Sequence, residues 1–205
     1  MTAGTAPATT DRSDFRHILV SGTKLGAAVA IAVVAYLAVS RLIPPGTVRA
    51  LLQTAVVLAA AVAASLLPAQ WTTARGTQGI AGAAAVGLWG TIAFMAIDII
   101  VLRPLKAYPW TWDAVGGGST WWYLPIWWML GTFVAWMGGM LTAGRAARGG
   151  DPSLGALALP VLTGAVVIAA GLVLARLPIY LPVAAGAAFT ATLTVLAVVA
   201  IARKA

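Results

Sequence analysis

The chain has 205 residues, of which 61% are hydrophobic and 9% charged, and thirteen Lys and Arg residues give it a formal net charge of +8. It has no cysteine, no glutamate and one histidine, His17, which excludes disulfides and leaves few groups for metal or haem ligation and for catalysis. We therefore expect no metal, no cofactor and no enzymatic activity, and no binding to nucleic acid, because the cations lie singly beside apolar runs and not together on one polar face.

Six apolar runs follow one another along the chain, each of 18 to 23 residues and separated by Pro and Gly. They are rich in Ala, Val and Leu without the alternation of a strand, and a helix satisfies its own backbone groups in hydrocarbon. The predicted fold is an all-α polytopic membrane protein with six transmembrane helices arranged as three hairpins. The predicted helices span residues 25–43, 50–67, 80–102, 121–143, 154–175 and 183–202. The second run carries Gln53 and Thr54 and is the shortest, which leaves open a five-helix alternative in which it is only half inserted.

Residues 1–24 precede the first run and are predicted to be a polar cytoplasmic tail, since their Thr, Ala, Ser and Gly content cannot form a core. The remaining residues, 25–205, are predicted to form one transmembrane domain. A cleaved signal peptide is the alternative for the first run, because Ala38 and Ser40 are small residues at a cleavage-like spacing. The run is longer than a signal's apolar core and Asp11 and Asp14 precede it, which favours a permanent helix.

The distribution of Lys and Arg predicts the orientation. If both termini lie on one side of the membrane, that side has eight of these residues and the opposite side has five. The eight are Arg12, Arg16, Lys24, Arg75, Arg145, Arg148, Arg203 and Lys204, and the five are Arg41, Arg49, Arg103, Lys106 and Arg176. Because cytoplasmic loops carry an excess of Lys and Arg, we expect a multi-pass protein of the cell membrane with both termini in the cytoplasm.

Asp98 is the only carboxylate inside a predicted helix. Small residues precede it on one face of the third helix, at spacings of four and seven: Gly79, Ala83, Gly87 and Thr91. Such a face lets a neighbouring helix approach closely, so we expect Asp98 to point into the bundle. A structural pairing inside the bundle is the favoured role, and binding of a substrate or proton is the alternative.

Small residues at a spacing of four also form stripes on two other predicted helices. We expect both stripes to be packing seams between helices. They are Gly131, Ala135 and Gly139 on the fourth helix and Ala55, Ala59 and Ala63 on the second.

Seven of the nine tryptophans lie between residues 110 and 136. They surround the predicted outer loop, 103–120, which is long for a link between adjacent helices, and loops of this kind are often functional. An interfacial belt accounts for some of the indoles, but the density is higher than a belt requires. We predict that Trp121, Trp122, Trp127 and Trp128, named here the tryptophan surface, recognise a partner helix, a lipid or a solute. With its polar neighbours, the predicted ligand or partner surface consists of Asp98, Arg103, Asp113, Trp121, Trp122, Trp127 and Trp128.

Two functions fit these features. The first, favoured because catalytic groups are lacking, is a non-catalytic subunit of a larger membrane assembly, in contact with lipids and with other subunits or copies of itself. The alternative is a small-solute transporter or substrate-binding subunit with an outward-facing, tryptophan-lined mouth. The predicted architecture resembles the substrate-binding membrane subunits of energy-coupling-factor vitamin transporters, without a shared motif, and that resemblance implies binding of a small solute from outside.

Overall fold

A computed structural model of the protein describes residues 12–102, 104–105, 123–150 and 152–203. Within these residues all regular secondary structure is helical, and six helices are long and apolar enough to cross a membrane. They are α1 (Phe15–Leu42), α2 (Thr47–Trp71), α3 (Thr77–Ile97, continued by a π-helical segment at Asp98–Leu102), α4 (Tyr123–Ala146), α5 (Leu154–Leu174) and α6 (Leu181–Ala202). The prediction of an all-α, six-helix membrane protein is confirmed.

The helices alternate in direction, so the bundle has two ends. We name the end with the start of α1 and the end of α6 the terminal side, and the opposite end the far side. Helices that follow each other in the chain pack together as the pairs α1–α2, α3–α4 and α5–α6. The three predicted hairpins are therefore present.

α1 begins at Phe15, ten residues before the predicted start of the first helix. The Asp14 carboxylate accepts a hydrogen bond of 3.0 Å from the backbone N–H of His17, and such a cap favours helix initiation. Further along the extension, Gly22 lies so close to α3 that an added Cβ would be 2.6 Å from Trp89 Cδ1. The first helix thus begins earlier than predicted, because capping and contact with another helix do not register in hydropathy.

α2 is the central helix of the bundle and contacts each of the other five. It has 25 residues and the hydropathy of a full span, so the five-helix alternative is wrong. Gln53, whose polarity suggested that alternative, is 1% exposed. Its amide lies among neighbouring helices, where it can hydrogen-bond.

Small residues bring α3 and α4 together. Gly87 packs directly against Gly131 and Ala135, and a Cβ added to Gly139 would lie 3.3 Å from the Ala83 Cβ. The stripe predicted on the fourth helix and the small-residue face predicted on the third are thus the two halves of one interface.

The stripe predicted on the second helix is not a seam within the chain. Ala55 and Ala59 are both exposed, whereas α2 packs through Gln53, Ser65 and Leu66, which are buried. A spacing of four places residues on one face of a helix, but it does not determine whether another helix lies against that face.

In α1, α2 and α4, close packing is concentrated on the terminal side. Of the side chains that the structure describes, the last buried one in α1 is Ala30 and the first in α4 is Ala135, while in the far half of α2 only Gln53 is buried before Ser65. Among the described residues, the far halves of these three helices are therefore less tightly packed than their terminal halves. A polar side chain that is buried in one of these far halves, such as Gln53, therefore differs from its mostly unburied neighbours.

Candidate functional site

Asp98 lies at the end of α3 and is 1% exposed, so the prediction that it points into the bundle is confirmed. It begins the π-helical segment Asp98–Leu102, in which Ile99, Ile100 and Val101 are exposed and Leu102 is buried. A π-helical turn contains an extra residue, and such turns often occur at functional sites. The far end of α3 therefore combines a buried carboxylate with a local change in helix geometry.

Four predicted site residues lie outside the described residues. They are Arg103, Asp113, Trp121 and Trp122. Their meeting with Asp98 around an outward-facing mouth stays a prediction.

The other half of the tryptophan surface lies on the far half of α4. Trp127 is 43% exposed and Trp128 is 37% exposed. Both belong to a run of five exposed apolar side chains, Ile126, Trp127, Trp128, Met129 and Leu130. Trp136, nine residues further along the same helix than Trp127, is exposed as well.

A second group of polar side chains, which we name the polar cluster, joins three elements on the far side. It consists of Tyr36 and Ser40 from α1, Arg49 and Gln53 from α2, and Tyr180, the residue that precedes α6. The Tyr180 hydroxyl donates to Gln53 Oε1, Gln53 Nε2 donates to Ser40 Oγ at 2.6 Å, and the Ser40 hydroxyl donates to the Tyr36 carbonyl at 2.9 Å. The buried Gln53 amide thus links α1 to the start of α6.

Arg49 brings a positive charge to the polar cluster. It lies one helical turn before Gln53 on the same face of α2, and its guanidinium acts electrostatically on the Tyr36 phenol. The Arg49 Nε atom is buried and has no hydrogen-bond partner in the described structure. An arginine nitrogen in this state is available for an acceptor that the described residues do not provide.

The polar cluster was not predicted from the sequence. Its signal was present as two polar pairs with a spacing of four, Tyr36 with Ser40 and Arg49 with Gln53, each on one face of its helix. The polarity of Gln53 suggested only that the second helix is half inserted, and Arg49 contributed only to the distribution of Lys and Arg. Tyr180 gave no comparable signal, because it lies 127 positions from its partner Gln53.

Polar groups on the terminal side have a structural role. The backbone N–H of Arg12 donates to the Thr72 carbonyl at 3.1 Å, and His17 Nε2 donates to the Trp71 carbonyl at 2.9 Å. Both acceptors lie at the end of α2, where helix carbonyls lack intrahelical partners. These bonds hold the segment before α1 and the first turn of α1 against α2. The candidate sites lie on the far side.

The fold and these sites define a multi-pass helical membrane protein, in which Asp98 and Gln53 are buried near one end of the bundle. No protein-family model, curated protein or solved structure matches the chain. Its function is therefore inferred from its own residues and geometry.

Proposed function

We propose that the protein is a non-catalytic integral membrane subunit that packs within a larger membrane assembly. The observation that supports this proposal is the run of exposed apolar side chains at residues 126–130 of α4, each between 37% and 71% exposed. Two of the five are Trp127 and Trp128. The same segment follows the predicted outer loop.

Successive residues of a helix are rotated by about 100°, so five consecutive positions cover its whole circumference. A helix at the edge of a bundle packs on one face and shows the other to lipid. At residues 126–130 of α4, the described part of the chain covers neither of these faces closely. Indoles offer a large, rigid contact area at a low cost in conformational entropy, so we infer that a helix of another subunit or of a second copy packs on this segment.

The test is the mass of the full chain purified in mild detergent from its native membrane. We expect a stable complex larger than one 20.9 kDa chain, and we expect the double variant Trp127→Leu, Trp128→Leu to dissociate at least tenfold more readily. Trp136→Leu is the matched control, because it removes an exposed indole from the same helix outside the tryptophan surface. A wild-type protein that is monomeric without partners would contradict the proposal.

The same exchange at Trp121 and Trp122 tests the other half of the tryptophan surface. Leucine keeps the apolar character and removes the indole. If the complex of Trp121→Leu, Trp122→Leu is as stable as that of the wild type, these two residues serve only as a membrane anchor.

Binding or transport of a small solute is the second candidate function. It is favoured by the looser packing of the far halves of α1, α2 and α4, together with the buried polar side chains Asp98 and Gln53 at that end. A solitary bundle that retains an organic molecule after purification would support this function over the first. Mass spectrometry of the purified protein under native conditions distinguishes the two.

We further propose that the protein lies in the cell membrane with both termini in the cytoplasm. The support is the excess of Lys and Arg, eight on the terminal side against five on the far side. In this orientation the polar cluster and the tryptophan surface face the outside. The partners are then membrane lipids and other membrane-embedded chains.

A further inference from the structure

Three hydrogen bonds connect the neutral groups of the polar cluster. The Tyr180 hydroxyl proton goes to Gln53, a Gln53 amide proton goes to Ser40, and the Ser40 hydroxyl proton goes to the Tyr36 carbonyl. These groups thus form a chain of hydrogen bonds that runs from Tyr180 to the backbone of Tyr36.

Arg49 differs from these neutral groups because it is always charged. Its Nε–H is a buried donor without a partner in the described structure, while the side chain as a whole is only partly buried. A buried donor without an acceptor destabilises the folded protein. An acceptor that carries a negative charge would satisfy both the donor and the charge.

The described carboxylates do not belong to the polar cluster. Asp14 caps α1 at the terminal side, and Asp98 lies on α3, whereas the cluster is built from α1, α2 and the residue before α6. An anion from outside the chain therefore fits the position better than an internal ion pair.

We propose that Arg49 forms a phosphate-binding site within the polar cluster. The Nε–H and an Nη–H on one edge of a guanidinium form two parallel hydrogen bonds with a phosphate, which combines charge with a fixed geometry. Arg49 lies in the first turn of α2, and the N-cap Gly46 makes no side-chain capping bond. The positive end of the helix dipole adds to the attraction for an anion at this position.

The phosphate can belong to a lipid headgroup or to a soluble molecule. Residues next to the cluster in sequence are apolar and exposed, among them Leu42, Val48 and Ile179, which suits a ligand that also carries an acyl chain. Tyr180 is 47% exposed and Arg49 is partly exposed, so the cluster reaches the surface of the bundle. The site does not depend on the assembly role proposed above, because it uses α1, α2 and α6 and not the exposed segment of α4.

The experiment is a binding titration of the purified full chain, followed by native mass spectrometry. The probes are dioleoylphosphatidylglycerol for a lipid phosphate and glycerol 3-phosphate for a soluble one. We expect at least one probe to bind the wild-type protein tenfold or more tightly than it binds Arg49→Gln. Binding of the lipid alone assigns the site to headgroups, and binding of glycerol 3-phosphate assigns it to a soluble ligand.

Two variants keep the test independent of folding and of net charge. Arg176→Gln removes the same charge from an exposed position on the same side and should bind the probes like the wild type. Arg49→Lys keeps the charge but lacks the Nε donor, so it should fold and still lose binding severalfold. The proposal is overturned if Arg49→Gln binds every probe as the wild type does, or if Arg176→Gln loses as much affinity.

Asp113, which lies outside the described residues, provides a further control. If its carboxylate occupied the Arg49 guanidinium, Asp113→Asn would free the site and raise probe affinity. We expect no change. A tenfold gain would assign the position to an internal ion pair and would overturn the proposal.

Discussion

Individual buried polar side chains have large effects in an apolar bundle, because a donor or acceptor that loses its partner finds no water in hydrocarbon to replace it. Gln53 uses its amide oxygen for Tyr180 and its amide nitrogen for Ser40. Asp98 is equally buried and is negatively charged when ionised. Substitution of either residue should therefore change the stability of the protein more than substitution of a surface residue.

Gln53→Leu should lower the free energy of unfolding by about 1–2 kcal/mol, because Tyr180 loses its acceptor and Ser40 loses a donor. The measurement is the melting temperature of the purified protein in detergent. Thr54→Val is the control, since the Thr54 hydroxyl bonds the Ala50 carbonyl of its own helix at 2.7 Å, and its loss should have a smaller effect. Equal destabilisation by both variants would show that the bonds between helices contribute little.

Asp98→Asn should also lower the melting temperature, by an amount that corresponds to about 1–3 kcal/mol. The exchange keeps the shape of the side chain but replaces a carboxylate oxygen, which accepts hydrogen bonds, with an amide NH₂ group, which donates them. Asp14→Asn is the matched control, because asparagine caps a helix as well as aspartate does. An unchanged melting temperature with loss of assembly or ligand binding would instead indicate a working carboxylate.

At the scale of whole elements, the helices approach one another through small residues. Gly138 of α4 packs on the backbone carbonyl of Ser65 in α2, and Gly26 of α1 packs on the backbone of α3 near Gly90. These contacts are between backbones, which cannot move aside as a flexible side chain can. Close approach of this kind gives helices in lipid their packing energy, since burial of apolar surface gives none there.

Gly138→Ala should destabilise the protein by about 1–3 kcal/mol, because the added methyl group forces α4 away from α2. Gly171→Ala on α5 is the control, since a Cβ there would have no heavy atom within 4 Å. Alanine is the better helix former, so the control should be neutral or slightly stabilising. The melting temperatures of both variants are measured in detergent. Equal values would mean that α2 and α4 accommodate the added methyl group without loss of stability.

At the scale of the molecule, α1, α2 and α4 are more closely packed in their terminal halves than in their far halves. Asp98, the polar cluster and the described part of the tryptophan surface lie on the far side. This asymmetry matches a protein that offers binding groups at one end. The charge distribution predicts which end faces the cytoplasm.

Reporter fusions test that orientation. A reporter after Ala205 should be active on the cytoplasmic side, and one inserted at Gly117 should be active on the outside, because α4, α5 and α6 separate the two positions. Two reporters that are active on the same side would contradict the proposed topology. Opposite sides with the reverse assignment would retain six spans but would turn the polar cluster towards the cytoplasm.

The sequence by itself determined the number of spans, their approximate positions and the inward face of Asp98. These depend on the length of apolar runs and on the spacing of residues along one helix, which are local properties. The seam between α3 and α4 was predictable as two stripes for the same reason, although not as one interface.

Only the tertiary structure decided which helices are neighbours. It placed α2 at the centre, left the Ala55 stripe exposed, extended α1 back to Phe15, and brought Tyr180 to Gln53 across 127 positions. The physical reason is that six helices of similar hydropathy can pack in several arrangements, and the choice among them depends on close backbone approach and on hydrogen bonds between distant residues. Hydropathy and periodicity along a single helix carry no information about either.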